Sequence, residues 1–168
     1  MTGPSTAPST EWVHATVALG SNLGPRREHL NFALAALERT PGVTLIAVSS
    51  FLETAPVGGP AGQGPYLNGV IRIETTLGAR DLLERLLAIE SERGRDRTEA
   101  GRWAARTLDL DLIFYGALEI DEPGLVLPHP RAEDRAFVLR PLAELEPGRV
   151  LPRCGRTVSE RLAELEGV

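Results

Sequence analysis

Apolar and polar residues alternate along this chain in two distinct periods. Residues 12–19 (WVHATVAL) alternate closely enough for a strand that ends at Gly20-Ser21-Asn22. Pro25 suits the first turn of a helix, Leu30, Leu34 and Leu37 give that helix an apolar stripe, and Gly42 closes it. The β-branched, mostly apolar run 43–53 (VTLIAVSSFLE) predicts a second strand. Residues 54–65 (TAPVGGPAGQGP) hold four Gly and three Pro in twelve positions, which excludes a helix or strand interior. An irregular segment of that length inside a compact domain is usually functional or disordered.

The period of two returns at 66–76 (YLNGVIRIETT), with Leu67, Ile71 and Ile73 on one face and Tyr66, Asn68 and Arg72 on the other. A second amphipathic helix is predicted at 79–93 around Leu82, Leu83, Leu86 and Ile89, followed by an arginine-rich stretch and a strand at 106–116 (RTLDLDLIFYG). LVLPHP and DRAFVLRPLAEL come next, then a last helix opened by Thr157 and Glu160 in a capping-box spacing. The order β-α-β-β-α-β predicts an α+β fold of the split βαβ type, a four-stranded antiparallel sheet with helices packed on one face. The C-terminal additions are expected to cover part of the remainder. No internal repeat or second-domain linker interrupts the chain.

The strand at 106–116 raises the chemical question. By parity Leu108, Leu110, Leu112 and Phe114 share one face, and Thr107, Asp109, Asp111, Ile113 and Tyr115 the other. Residues two apart on a strand lie about 7 Å apart, so the two carboxylates can converge on one site. Two anions so close resist ionisation unless a cation compensates. One reading is a solvated strand face paired with neighbouring arginines. The other is a divalent metal, since Mg²⁺ takes one or two carboxylates plus substrate phosphates.

Composition sharpens this choice. All 18 basic residues are Arg, so no mechanism that needs a lysine amine is open. Five of them, Arg93, Arg95, Arg97, Arg102 and Arg106, fall within residues 93–106, just before the acidic strand. Guanidinium groups match phosphate oxygens two at a time, so the cluster and the carboxylate pair together favour a polyphosphate site. Trp103 inside the cluster suits either ring stacking or the core. Glu90 is a salt-bridge partner for the next arginines or a ligand-facing acceptor, and His129, between two prolines, is a surface histidine or a functional one.

The bulk numbers exclude other classes. At 168 residues, 42% hydrophobic and 24% charged, the chain is one ordinary globular domain at 12–168. Residues 1–11, rich in Ser, Thr, Pro and Ala, read as a disordered tail with no signal-peptide character. A net charge of −5 argues against a nucleic-acid partner. No run approaches the roughly 18 apolar residues of a membrane span, and a single cysteine, Cys154, fits a reducing, cytoplasmic setting.

Five stretches taken together resemble the 6-hydroxymethyl-7,8-dihydropterin pyrophosphokinase family of folate biosynthesis. They are ALGSNLG at 18–24, SSFLETAPVG at 49–58, YLN at 66–68, RW and RTLDLDL within 102–112, and LPHPR with RAFVLRPL within 127–142. The resemblance implies a ferredoxin-like fold and transfer of pyrophosphate from ATP to the pterin hydroxymethyl oxygen, with release of AMP. It implies two Mg²⁺ ions held by Asp109 and Asp111, and catalytic roles for Arg95 and Arg106 beside that pair. Glu90, Arg97, Trp103, Arg106, His129 and Arg135 are the implied ATP contacts. Thr54, Val57, Tyr66, Asn68, Trp103, Asp109 and Phe137 are the implied pterin contacts. Small-molecule substrates and a monomeric enzyme are expected. Ala104-Ala105 replaces the family's usual Gly-Pro, Ala55 and Pro130 depart from common choices, and Gly124 and Val126 lack polar side chains some members offer the nucleotide. A non-catalytic pterin or nucleotide binder, or an RNA-binding sheet of like topology, are the readings from other classes. The acidic pair argues against the first and the negative charge against the second.

Overall fold

The computed structural model describes residues 11–56, 61–94 and 107–168. Val13–Ser21 forms β1 and Arg26–Glu38 forms α1, with Pro25 at the position just before the helix. Val43–Val48 is β2, Leu52–Thr54 is β3, Tyr66–Thr75 is β4 and Ala79–Glu92 is α2. Asp109–Tyr115 is β5, and Ile120–Glu122 (β6) with Leu125–Leu127 (β7) makes a separate hairpin. A short 3-10 turn at Ala132–Asp134 leads into α3, Ala136–Leu145, and Val158–Glu166 is α4.

The main sheet runs β2-β4-β1-β5, antiparallel throughout, with β3 also paired to β4. The split βαβ order read from the sequence is therefore present. The predicted strand 43–53 is instead two strands. At the break, Ser49 Oγ accepts the Val70 amide at 2.9 Å, and the Phe51 ring takes the space above Gly69, where a Cβ would come within 2.7 Å of it.

Two cores lie on opposite faces of this sheet. Val17, Leu19, Ile71, Ile73, Leu110 and Leu112 pack under Leu30 and Leu37 of α1 and Leu82, Leu86 and Ile89 of α2. On the other face Val70, Ile113 and Phe114 meet Val138, Leu139 and Leu142 of α3, with Leu151 and Val158. At roughly 1.5–3 kcal/mol for each fully buried large side chain, either layer contributes more than any polar contact below. The C-terminal segments thus cover the second face, as expected. The capping box of α4 is also formed, with Thr157 Oγ1 accepting from Glu160 N and Glu160 Oε2 accepting from Thr157 N.

One strand assignment needs correction. Phe114 belongs to the second core, not to the leucine face, and Tyr115 turns back toward the first core, its hydroxyl donating to the Leu77 carbonyl at 2.6 Å. The cause is a β-bulge: Val17 pairs with Leu112 and Thr16 with Phe114, so Ile113 has no counterpart on β1. One extra residue reverses the parity of everything after it.

Candidate functional site

The second core does not extend to the end of the sheet. Beyond it the polar face opens into a cleft of about 900 Å³, floored by β4, β1 and β5 and walled by β3, the 129–135 segment and α3. The floor follows from strand register. Gly20 of β1 lies between Asn68 of β4 and Asp109 of β5, and in the next row Ala18 lies between Val70 and Asp111. Small residues at the centre keep the floor low while polar side chains stand on either side of it.

Asp109 and Asp111 both line the cleft, half-buried, while Leu108, Leu110 and Leu112 are buried beneath them. The parity argument holds for this half of the strand. Two contacts from α2 fix where β5 begins. Glu90 is only 1% exposed, and its Oε1 accepts the amide of Leu110, the residue between the two aspartates, at 2.8 Å. Thr107 Oγ1 donates to the Arg93 carbonyl at 2.9 Å.

The opposite wall arrives from the C-terminal half of the chain. The Leu127-Pro128 peptide is cis, and the amide of His129 donates to the Ile113 carbonyl at 2.9 Å, which docks this segment on the bulge of β5. His129 Nδ1 accepts from the Arg131 amide at 3.2 Å. Burial first, then the charges of Arg135 and Arg131, push the His129 pKa down to about 4, against a smaller opposing pull from Asp109. The ring is therefore neutral near pH 7, and the proton sits on Nε2. The Arg135 guanidinium lies 5.5 Å from the centre of the Phe137 ring, and Phe137 and Arg140 reach the cleft from the first turns of α3.

On the pterin side of the expectation, Thr54, Tyr66 and Asn68 line the same cleft, and Asn68 Nδ2 donates to Thr54 Oγ1. Of the residues singled out by sequence, the structure brings together Thr54, Tyr66, Asn68, Asp109, Asp111, His129, Arg135 and Phe137. Glu90 is placed behind β5, on its backbone. Val57, Arg95, Arg97, Trp103 and Arg106 lie outside the described residues. Sequence reasoning missed Glu53, Gln63, Arg131, Asp134 and Arg140, which also line the cleft. Arg131 had a usable signal, two positions after His129 in a charged run; the others reach the site only through tertiary folding.

The donor set suits a hard divalent cation that brings its own ligands. Among the described residues no group of three or more His, Cys, Asp or Glu is arranged to hold a metal by itself. Two carboxylates on one strand, facing arginines and a neutral histidine, leave coordination positions for phosphate oxygens and water, which is how Mg²⁺ is usually bound.

Known proteins resemble this chain over most of its length. The model of the family described as 7,8-dihydro-6-hydroxymethylpterin-pyrophosphokinase matches residues 16–147. A Pseudomonas aeruginosa protein named 2-amino-4-hydroxy-6-hydroxymethyldihydropteridine pyrophosphokinase is 48% identical over 147 residues, 88% of this chain and 88% of its own length. A Synechocystis protein of the same name is 41% identical over 152 residues, covering 90% of this chain and 76% of its own. Among solved structures, wild-type Plasmodium falciparum HPPK-DHPS with pterin and p-hydroxybenzoate superposes with a TM-score of 0.68 at 11% identity. That match covers 94% of this chain but 44% of the longer one, and it supports the fold alone.

Proposed function

Because the chain belongs to the 7,8-dihydro-6-hydroxymethylpterin-pyrophosphokinase family, we propose a division of labour within the cleft for that family's reaction. The reaction moves the pyrophosphoryl group of ATP to 6-hydroxymethyl-7,8-dihydropterin in folate biosynthesis. The hydroxymethyl oxygen forms a bond to the β-phosphorus as the bond from that phosphorus to the α-phosphate oxygen breaks. AMP leaves, and the alcohol proton is released. Little covalent chemistry falls to the protein in such a transfer; positioning and charge stabilisation dominate.

The observation that carries the assignment is the row Asn68–Gly20–Asp109, with Asp111 beside it and His129 and Arg135 across the cleft. Asp109 and Asp111 would hold two Mg²⁺ ions, which would supply positive charge to offset that of the phosphates. His129, neutral with Nδ1 occupied, donates from Nε2 to a phosphate oxygen and is not the base. Arg135 adds fixed positive charge on that wall, and the family resemblance assigns Arg95, Arg97 and Arg106 to the phosphates as well. Thr54, Val57, Tyr66 and Asn68 bind the polar edge of the pterin, whose rings stack between Trp103 and Phe137. Glu90 serves the nucleotide by holding β5 in place through Leu110.

In this reading the partners are small-molecule substrates, met by a monomeric enzyme in the cytoplasm. No described helix is long and apolar enough to cross a membrane. The test is direct: supply Mg-ATP and the hydroxymethyl pterin, and follow AMP. AMP formation that needs both the pterin and Mg²⁺ supports the reading; AMP at the enzyme-free rate ends it.

A further inference from the structure

The first turn of α1 contributes no side chain to the cleft lining, yet it binds the roots of both sides of the cleft. Arg26 Nη1 donates to the Pro65 carbonyl at 2.8 Å, and its Nη2 is hydrogen-bonded and ion-paired to Glu53 Oε1. Glu53 immediately precedes Thr54, and Pro65 immediately precedes Tyr66, so one guanidinium joins two strand ends at the point where each enters the cleft.

One turn further along, His29 does the same on the other side. It is 8% exposed, and its Nδ1 accepts from Arg93 Nε at 3.0 Å, with Arg93 Nη2 at 2.8 Å. Its remaining nitrogen faces the Leu23–Gly24 turn and bonds the Leu23 backbone. The Arg93 guanidinium also lies 4.7 Å from the centre of the Phe32 ring, and the Arg93 carbonyl is the acceptor for Thr107, two residues before Asp109. His29 accepts from Arg93 only while neutral. Burial, then the Arg93 charge, hold its pKa below the usual value, against a weaker opposing effect of Glu28 and the Leu23 carbonyl.

We propose that Arg26 and His29 are a pair of positioning residues that hold the pterin-side strand ends and the acidic strand of the cleft in fixed relation through the first turn of α1. A cation in the first turn is unfavourable for the helix itself, because the N-terminal end of the helix dipole is positive. Arg26 therefore acts through the contacts it makes elsewhere. Misplacement of the reacting groups by about 1 Å costs up to a hundredfold in rate, so loss of either tie shows in catalysis more than in folding. The proposal rests on the pyrophosphoryl-transfer reading.

The test combines amide hydrogen exchange, which needs no turnover, with steady-state kinetics on Arg26→Ala, His29→Ala and Thr107→Val. Arg26→Ala should speed exchange at 66–68 and raise the pterin KM about five- to tenfold, leaving the Mg-ATP KM within about twofold. His29→Ala and Thr107→Val should speed exchange at 109–111 and raise the Mg-ATP KM by a similar factor instead. His29→Gln, which keeps an acceptor for Arg93, should restore most of the loss. Should the alanine variants fail to fold, Arg26→Lys and Thr107→Val decide, since both preserve bulk. Folded variants with lowered Tm but unchanged exchange at both strand ends and unchanged KM values overturn the proposal. Parent protein that forms no AMP would instead overturn the reaction, while the exchange pattern would still judge the two ties.

Discussion

Gly20 is the position where the smallest change should have the most selective consequence. A Cβ there would lie 2.7 Å from Asn68 Oδ1 and 3.5 Å from the Tyr66 ring. Carbon and oxygen do not approach to 2.7 Å without a bond, so Asn68 must give way by about half an ångström or rotate. Rotation breaks its hydrogen bond to Thr54 Oγ1, a loss of about 0.5–1.5 kcal/mol. Replacing a strand glycine by alanine returns about 0.5–1 kcal/mol through reduced backbone entropy of the unfolded chain. The two nearly cancel, so Gly20→Ala should shift Tm by no more than about 4 °C. Binding has no such compensation: an Asn68 amide turned from the pterin edge should raise the pterin KM about tenfold, the equivalent of 1.4 kcal/mol. The Mg-ATP KM should stay within about twofold. The assay is AMP release against each substrate in turn, with Tm measured alongside. A pterin KM equal to the parent's in a folded variant would refute both the Asn68 role and the reading of Gly20 as the cleft floor.

Other perturbations separate chemistry from stability. Asp109→Asn and Asp111→Asn should each lower kcat at least about a hundredfold while the protein stays folded, since both side chains line the cleft and neither belongs to a core. Loss of fold in either would place these carboxylates in the core. For His129 the folded pKa of about 4 lies below the unfolded 6.5, so the unfolded chain binds a proton that the folded protein refuses. Stability should be flat in pH above 6.5 from this group and fall as pH drops from 6.5 toward 4; His129→Gln should remove part of that slope in pH-dependent melts. Glu90→Leu leaves the Leu110 amide without its acceptor and should cost about 1–3 kcal/mol more than Glu90→Gln, compared by urea denaturation. Thr157→Ala should cost about 1 kcal/mol through lost capping of α4, and because Thr157 does not line the cleft, kcat should be unchanged.

How far the sequence could be read depended on whether a strand has one polar face. In β4, Tyr66, Asn68 and Arg72 mark the outer face, and the register read from them holds. In β5, Asp109 and Asp111 mark it only as far as Leu112. Beyond that both faces are covered, one by α1 and α2 and the other by α3 and α4, so Ile113, Phe114 and Tyr115 carry no polarity to betray a slipped parity. The break between β2 and β3 was hidden for the same kind of reason, since Ser49 and Phe51 look like ordinary strand residues until Val70 and Gly69 are opposite them. The part of the wall formed by Asp134 and Arg140 was illegible because it depends on how the chain returns after β7. The failed parity at Ile113 has a functional counterpart. The unpaired residue turns Phe114 into the second core, and its carbonyl holds the amide of His129. A regular strand would continue the aspartate face into Tyr115 and leave the α3 layer without Phe114. The irregularity that defeats the alternation therefore joins the acidic floor to the histidine wall, and the cleft is assembled at that join.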